Sequence, residues 1–265
     1  MWLLALVPIC LAVFGSTGIW TVFAVSVMNN SVNLTHIFPY ISDCAWYPPQ
    51  KCLFTQICSL IIITALWIGM IQFQQVKQLG NHGRVNNASA VMGFLSCGGL
   101  SVCSNSQVSE FHLVGALVSF VSALAYFWMQ VYLTYQGQSF PERSWMGPLR
   151  ALCCTIATLL GIACILSSCT TLQTLRAVQP VELYTCETFS LTFSKAVGFY
   201  ATNCHSGVAA CEFALVMVIF FLFALFAVEF RHIECRILIM KKHILKEEKS
   251  LESVKVNSVA NQMSQ

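Results

Sequence analysis

The residues able to carry chemistry are few, and most sit inside or beside long apolar runs. Glu212 is the one carboxylate well inside such a run, where an acidic side chain costs roughly 2.5–3.5 kcal/mol near a helix centre. Asn105, Gln107 and His112 fall at the ends of neighbouring runs, so stacking the runs side by side would bring all four to one depth. Such a polar cluster has two uses. It can tie helix ends together by hydrogen bonds, which is the expected one, or it can hold a lipid headgroup or an ion.

Of the 14 cysteines, Cys10, Cys58, Cys97, Cys153, Cys154, Cys164 and Cys211 lie within apolar runs, where they act as small residues that let helices approach. Cys44 and Cys52 flank Tyr47-Pro48-Pro49 in a segment read below as facing the oxidising side, so a disulfide between them is expected. Cys186 and Cys204 form a second candidate pair. No C-x-x-C and no His/Cys grouping with zinc spacing occurs, so neither a metal nor a cofactor is expected. G-x-S-x-G, H-E-x-x-H, phosphate-binding glycine loops and dinucleotide fingerprints are missing as well. The chain therefore reads as a non-enzyme, with a lipid-modifying enzyme of the outer leaflet and a channel or channel subunit as the rival classes.

These residues are held by elements that the composition makes plain. The chain of 265 residues is 57% hydrophobic and 9% charged, whereas soluble domains carry about 25% charged residues. A helix needs roughly 20 apolar residues to cross about 30 Å of hydrocarbon. Six stretches meet this, at about 2–28, 53–73, 88–104, 112–135, 149–171 and 208–230, the third being the shortest and the most polar. The first is too long for a signal-peptide core and lacks a basic flank, so it is read as a retained span. The fold expected is all-α: a polytopic integral membrane protein, a six-helix bundle over 1–230 followed by a tail over 231–265. The lipid bilayer is its first partner, and the small net charge of +3 gives no reason to expect nucleic acid.

With both termini cytosolic, eleven Lys and Arg fall inside and three outside, these being Lys51, Arg176 and Lys195. The positive-inside rule favours that orientation. Loops at about 29–52, 105–111 and 172–207 then face outward, and the sequons at Asn29 and Asn33 in the first of them are candidate glycosylation sites. On the third span Ser89, Gly93, Cys97, Ser101 and Asn105 recur every four residues. That spacing makes one small face, expected to pack against a neighbouring helix. In the tail, Ile233, Ile237, Met240 and Ile244 recur at helical spacing between Arg236, Lys241, Lys242 and Lys246. A basic amphipathic helix of this kind is drawn to anionic lipids, and Cys235 stands where palmitoylation often occurs.

One set of motifs is specific enough to carry a resemblance. It comprises Gly18-Ile19-Trp20-Thr21-Val22-Phe23-Ala24 with Asn29, Phe38-Pro39-Tyr40-Ile41-Ser42-Asp43, and Pro48-Pro49-Gln50 with Leu53-Phe54 between Cys44 and Cys52. Further on come His112-Leu113-Val114-Gly115-Ala116, Gly147-Pro148-Leu149-Arg150 and Ala210-Cys211-Glu212. Together they resemble the DRAM family of damage-regulated autophagy modulators and, within it, the B type of the transmembrane protein 150 branch. Two departures stand out: Ser106 replaces an aromatic between Asn105 and Gln107, and a long segment at 172–206 separates the last two spans. The resemblance implies a multi-pass regulator of autophagic flux and cell survival in the cell membrane and in endosomal, lysosomal and autophagosomal membranes. It would act with unidentified membrane or autophagy proteins, and no catalytic residue is implied.

Overall fold

The computed structural model describes residues 3–34, 38–78, 83–106, 108–136, 143–178 and 187–231; of 3, 78, 109–110, 143, 167–178 and 187–205 it describes the backbone alone. Its elements are α1 (Leu3–Met28), the single turn α2 (Ile41–Cys44), α3 (Gln50–Gln78), α4 (Arg84–Asn105), α5 (Ser109–Gln136), α6 (Arg143–Val178) and α7 (Glu187–Ala224). After a turn at Leu225 a last helical stretch runs over 226–231. No strand occurs among the described residues.

Local sequence sets several ends. α1 stops where Asn30 takes a left-handed backbone, φ 53°, a conformation Asn tolerates better than most residues. α3 starts directly after Pro48-Pro49, with the Lys51 N–H donating to the Tyr47 carbonyl at 2.9 Å. The outward loop expected over 172–207 is largely helical instead, because α6 continues to Val178 and α7 already begins at Glu187. No proline interrupts 172–178 or 187–206, so nothing in either stretch obliges a helix to stop.

Among the described residues five stretches are long and apolar enough to cross a membrane: Leu4–Met28, Gln50–Lys77, Phe111–Gln136, Ser144–Leu166 and Ser206–Arg231. α4 is not among them. Its 22 residues suffice in length, but Asn86, Asn87, Ser89, Ser96, Ser101, Ser104 and Asn105 dilute its hydropathy.

The six long helices form a closed ring. α1 packs on α3, α3 on α4, α4 on α5, α5 on α6, α6 on α7 and α7 back on α1, while α2 rests on α1 and α7 at one end. The ring is apolar outside and partly polar within. Ile63, Leu113 and Leu159 are more than 60% exposed, while Gln72, Gln130, Arg150 and Glu229 are at most 5% exposed. This inverts the soluble pattern and suits a hydrocarbon surround, where internal polar groups pair with one another. The tightest seam joins α4 to α5: a methyl group added at Gly99 would lie 2.6 Å from the Ser119 backbone nitrogen, and one at Gly115 would lie 2.7 Å from that of Cys103.

Candidate functional site

Glu212 immediately precedes Phe213, the first buried aromatic among the described side chains of α7. Its Oε2 accepts the Ile41 N–H at 3.1 Å, and Ser206 Oγ accepts the Phe38 N–H at 3.1 Å. These two bonds fasten the 38–45 segment across the end of the ring. Phe38 completes the clamp by packing against Phe213 and Phe23, with ring centroids 5.5 and 5.7 Å apart. Tyr40 and Asp43 close the turn from within, the Tyr40 N–H donating to Asp43 Oδ2 at 3.1 Å.

His112 occupies the other side of the same end. Its Nδ1 lies 2.8 Å from the Cys103 carbonyl; a carbonyl only accepts, so Nδ1 carries the proton. The Trp46 ring meets the imidazole edge-on at 6.4 Å. Asn105 does not join this group. It is exposed, and its Nδ2 donates to the Ser101 carbonyl of its own helix at 2.9 Å. Of the residues expected to cluster, Glu212 and His112 line one cavity and are each bonded to backbone. Gln107, Cys186, Cys235, Arg236, Lys241, Lys242 and Lys246 lie outside the described residues, and of Cys204 only the backbone is described.

Between Glu212 and His112 opens a cavity of about 330 Å³, enclosed by α3, α4, α5 and α7. Its walls are apolar, with Phe54, Ile61, Leu100, Phe120, Val216 and Phe223 among them. Its far end is lined by Ser89, Tyr126 and Gln130. The small-residue row of α4 accordingly has two fates. Ser89, Gly93 and Cys97 line the cavity, and Ser89 and Gly93 also meet Gln130 and Tyr126 of α5, while the closest backbone approach is made by Gly99 and Cys103 against Gly115 and Ser119. Small residues four apart on both partners were the available signal.

Beyond the cavity floor lies a polar network that sequence reasoning missed. Arg150 of α6 forms a buried ion pair with Glu229 and donates from Nη1 to Thr134 Oγ1 at 2.9 Å. Gln72 Nε2 donates to Glu229 Oε2 at 2.9 Å and to Gln130 Oε1 at 3.3 Å, and Gln130 Nε2 donates to Ser89 Oγ at 3.3 Å. The Arg150 guanidinium also lies over the Phe226 ring, 4.5 Å from its centroid. Four helices of the ring, α3 to α6, and the closing stretch 226–231 meet here. The signal was present as Gln72, Gln130 and Thr134 within apolar runs, since such residues must find partners in a membrane.

Cys44 and Cys52 are free thiols, one buried and the other exposed, so the bridge expected between them is not formed. Burial pushes the Cys44 thiol up, and the hydrogen bond with Ser26 opposes it only in part. Asn29 and Asn33 are both exposed beyond the end of α1.

A family model described as the Frag1/DRAM/Sfk1/Cwh43P N-terminal domain matches residues 3–233. The chain belongs to this family. The Frag1/DRAM match spans the whole ring, both polar ends included. Among its relatives is the modulator of macroautophagy TMEM150B of Danio rerio, 41% identical over 249 residues that cover 93% of this chain and 94% of that protein. The protein of the same name in Xenopus tropicalis is 38% identical, covering 91% and 93%. The Homo sapiens one is 33% identical, covering 88% and 89%. No solved structure matches the chain.

Proposed function

We propose that this Frag1/DRAM-family protein is a non-enzymatic membrane modulator of macroautophagy and cell survival. It would cross the membrane six times, with both termini cytosolic. The observation that carries this is the 41% identity to a named modulator of macroautophagy across nearly the full length of both chains. Its places of action would be the cell membrane and endosomal, lysosomal and autophagosomal membranes.

Several features support the six-span reading. α4 closes the ring between α3 and α5 and turns Val91, Phe94 and Val102, each about half exposed, outward. The Lys and Arg asymmetry of eleven to three supports cytosolic ends, and Asn29 and Asn33 would then be open to glycosylation. The non-enzymatic reading is supported by the bonds of the two titratable groups at the cavity mouth: Glu212 holds the Ile41 N–H and His112 the Cys103 carbonyl. Both serve to lock backbone. Against a channel stands the apolar wall of the cavity, since conduction paths are lined by carbonyls or charged side chains. The tail would add anionic-lipid contact through its basic stripe.

The test is autophagic flux in cells lacking the protein and in cells overproducing it, read as the difference in lipidated LC3 with and without a lysosomal inhibitor. A shift in opposite directions in the two lines is expected. Equal flux in both would refute the reading.

A further inference from the structure

The ring encloses a space that neither its packing nor the autophagy reading uses. Its lining runs from Cys103 to Ser89 along α4 and from His112 to Gln130 along α5, about 21 and 27 Å at 1.5 Å per residue. Over that length a volume of about 330 Å³, at the small end of ligand pockets, has room for one hydrocarbon chain.

The two ends differ in chemistry. The floor residues Ser89 and Gln130 are bonded to each other, the buried Tyr126 hydroxyl beside them has no hydrogen-bond partner among the described residues, and none of the three carries a charge. At the mouth, Glu212 spends one oxygen on the Ile41 N–H; its other oxygen has no hydrogen-bond partner among the described residues. Ser42 and His112 line the same mouth. A carboxylate with a free oxygen beside a hydroxyl is complementary to a cationic or hydroxyl-bearing headgroup and repels an anionic one. Met70 of α3 and Phe94 of α4 line the cavity and keep 46% and 54% of their surface accessible, which puts the route of entry from the bilayer between these two helices.

We propose that the cavity binds a single-chain lipid amine, its hydrocarbon chain lying between α3, α4, α5 and α7 and its amine at Glu212. The site is separate from the macroautophagy reading, and either can fail without the other.

The test uses the full-length protein in phosphatidylcholine nanodiscs with a photoactivatable, clickable sphingosine as probe. Adducts should map to the lining segments of α3, α4 and α5. Excess unlabelled sphingosine should suppress labelling about tenfold, and stearic acid should not. Glu212→Gln should lower sphingosine labelling about tenfold while leaving labelling by a photoactivatable fatty alcohol of equal length unchanged. Gly93→Leu, which points a side chain into the cavity beside Tyr126, should block both probes. Adducts confined to the outer lipid-facing surface, or labelling that unlabelled sphingosine does not suppress, would overturn the proposal. Both of these are read on the unmodified protein, so a variant that misfolds does not decide the matter. Equal competition by stearic acid would also overturn it, by removing the role of the carboxylate.

Discussion

Arg150 and Glu229 make the sharpest prediction, because both side chains are almost wholly buried at 2% and 6% exposure. Arg150→Met removes the ion pair, the bond to Thr134 and the contact with Phe226, and it leaves the Glu229 carboxylate buried. Breaking one half of a buried pair costs about 3–5 kcal/mol, because the surviving charge stays desolvated. Gln72 still donates to Glu229 at 2.9 Å, which places the expected loss at the low end, about 3 kcal/mol. For a chain of this size that corresponds to a fall of about 6–12 °C in melting temperature. The double variant Arg150→Met/Glu229→Leu removes both charges and should recover to within about 1 kcal/mol of the native protein. Melting of the detergent-solubilised protein, followed by fluorescence-detected gel filtration, yields the full cycle and its coupling energy. Single variants that melt within about 2 °C of native, or a double variant that loses the sum of both singles, would refute the buried pair and the network built on it.

Other expectations follow from the same geometry. Glu212→Gln keeps an acceptor for the Ile41 N–H and should fold and reach the membrane normally, whereas Glu212→Leu orphans that N–H at a cost of about 1–3 kcal/mol, readable in the same melting assay. Gly99→Val places a side chain against the Ser119 backbone nitrogen, 2.6 Å away at Cβ, and should lower expression of the folded protein by forcing α4 from α5, at about 1–3 kcal/mol or more. Maleimide should label Cys52 readily and Cys44 slowly. Because the Cys44 thiol is raised by burial, its labelling should gain more from rising pH than that of an ordinary thiol; equal rates at neutral pH would refute this. If the first loop is extracellular, Asn29→Gln with Asn33→Gln should abolish a glycosidase-sensitive mass shift. These replacements are better than removing Ser31, whose hydroxyl is hydrogen-bonded to the Gln50 side chain at 2.8 Å.

The sequence alone settled the class, the apolar centres of the long helices and the family, but not the extension of α6 and α7 into 172–206. Hydrocarbon solvation needs only a count of consecutive apolar residues, and the motifs around 38–54 and 112–116 are local strings. It also marked Glu212 as costly, since that cost depends on residue type and depth alone. Pairing and rotation belonged to the tertiary structure. Arg150 and Glu229 are 79 residues apart, and in the sequence each looked like a charge at the end of a run; only ring closure turns both inward. On α4 two small-residue rows were available, Ser89-Gly93-Cys97 and Gly99-Cys103. Both face α5, and which one presses backbone to backbone depended on where Gly115 and Ser119 stood on the partner; the other reaches Tyr126 and Gln130 across the cavity wall. Asn105 satisfied its amide on its own helix, a short-range choice that shared depth does not reveal. Helical spacing tells which residues share a face, but not which neighbour that face will meet, because rotation about the helix axis is set by the packing of the whole ring.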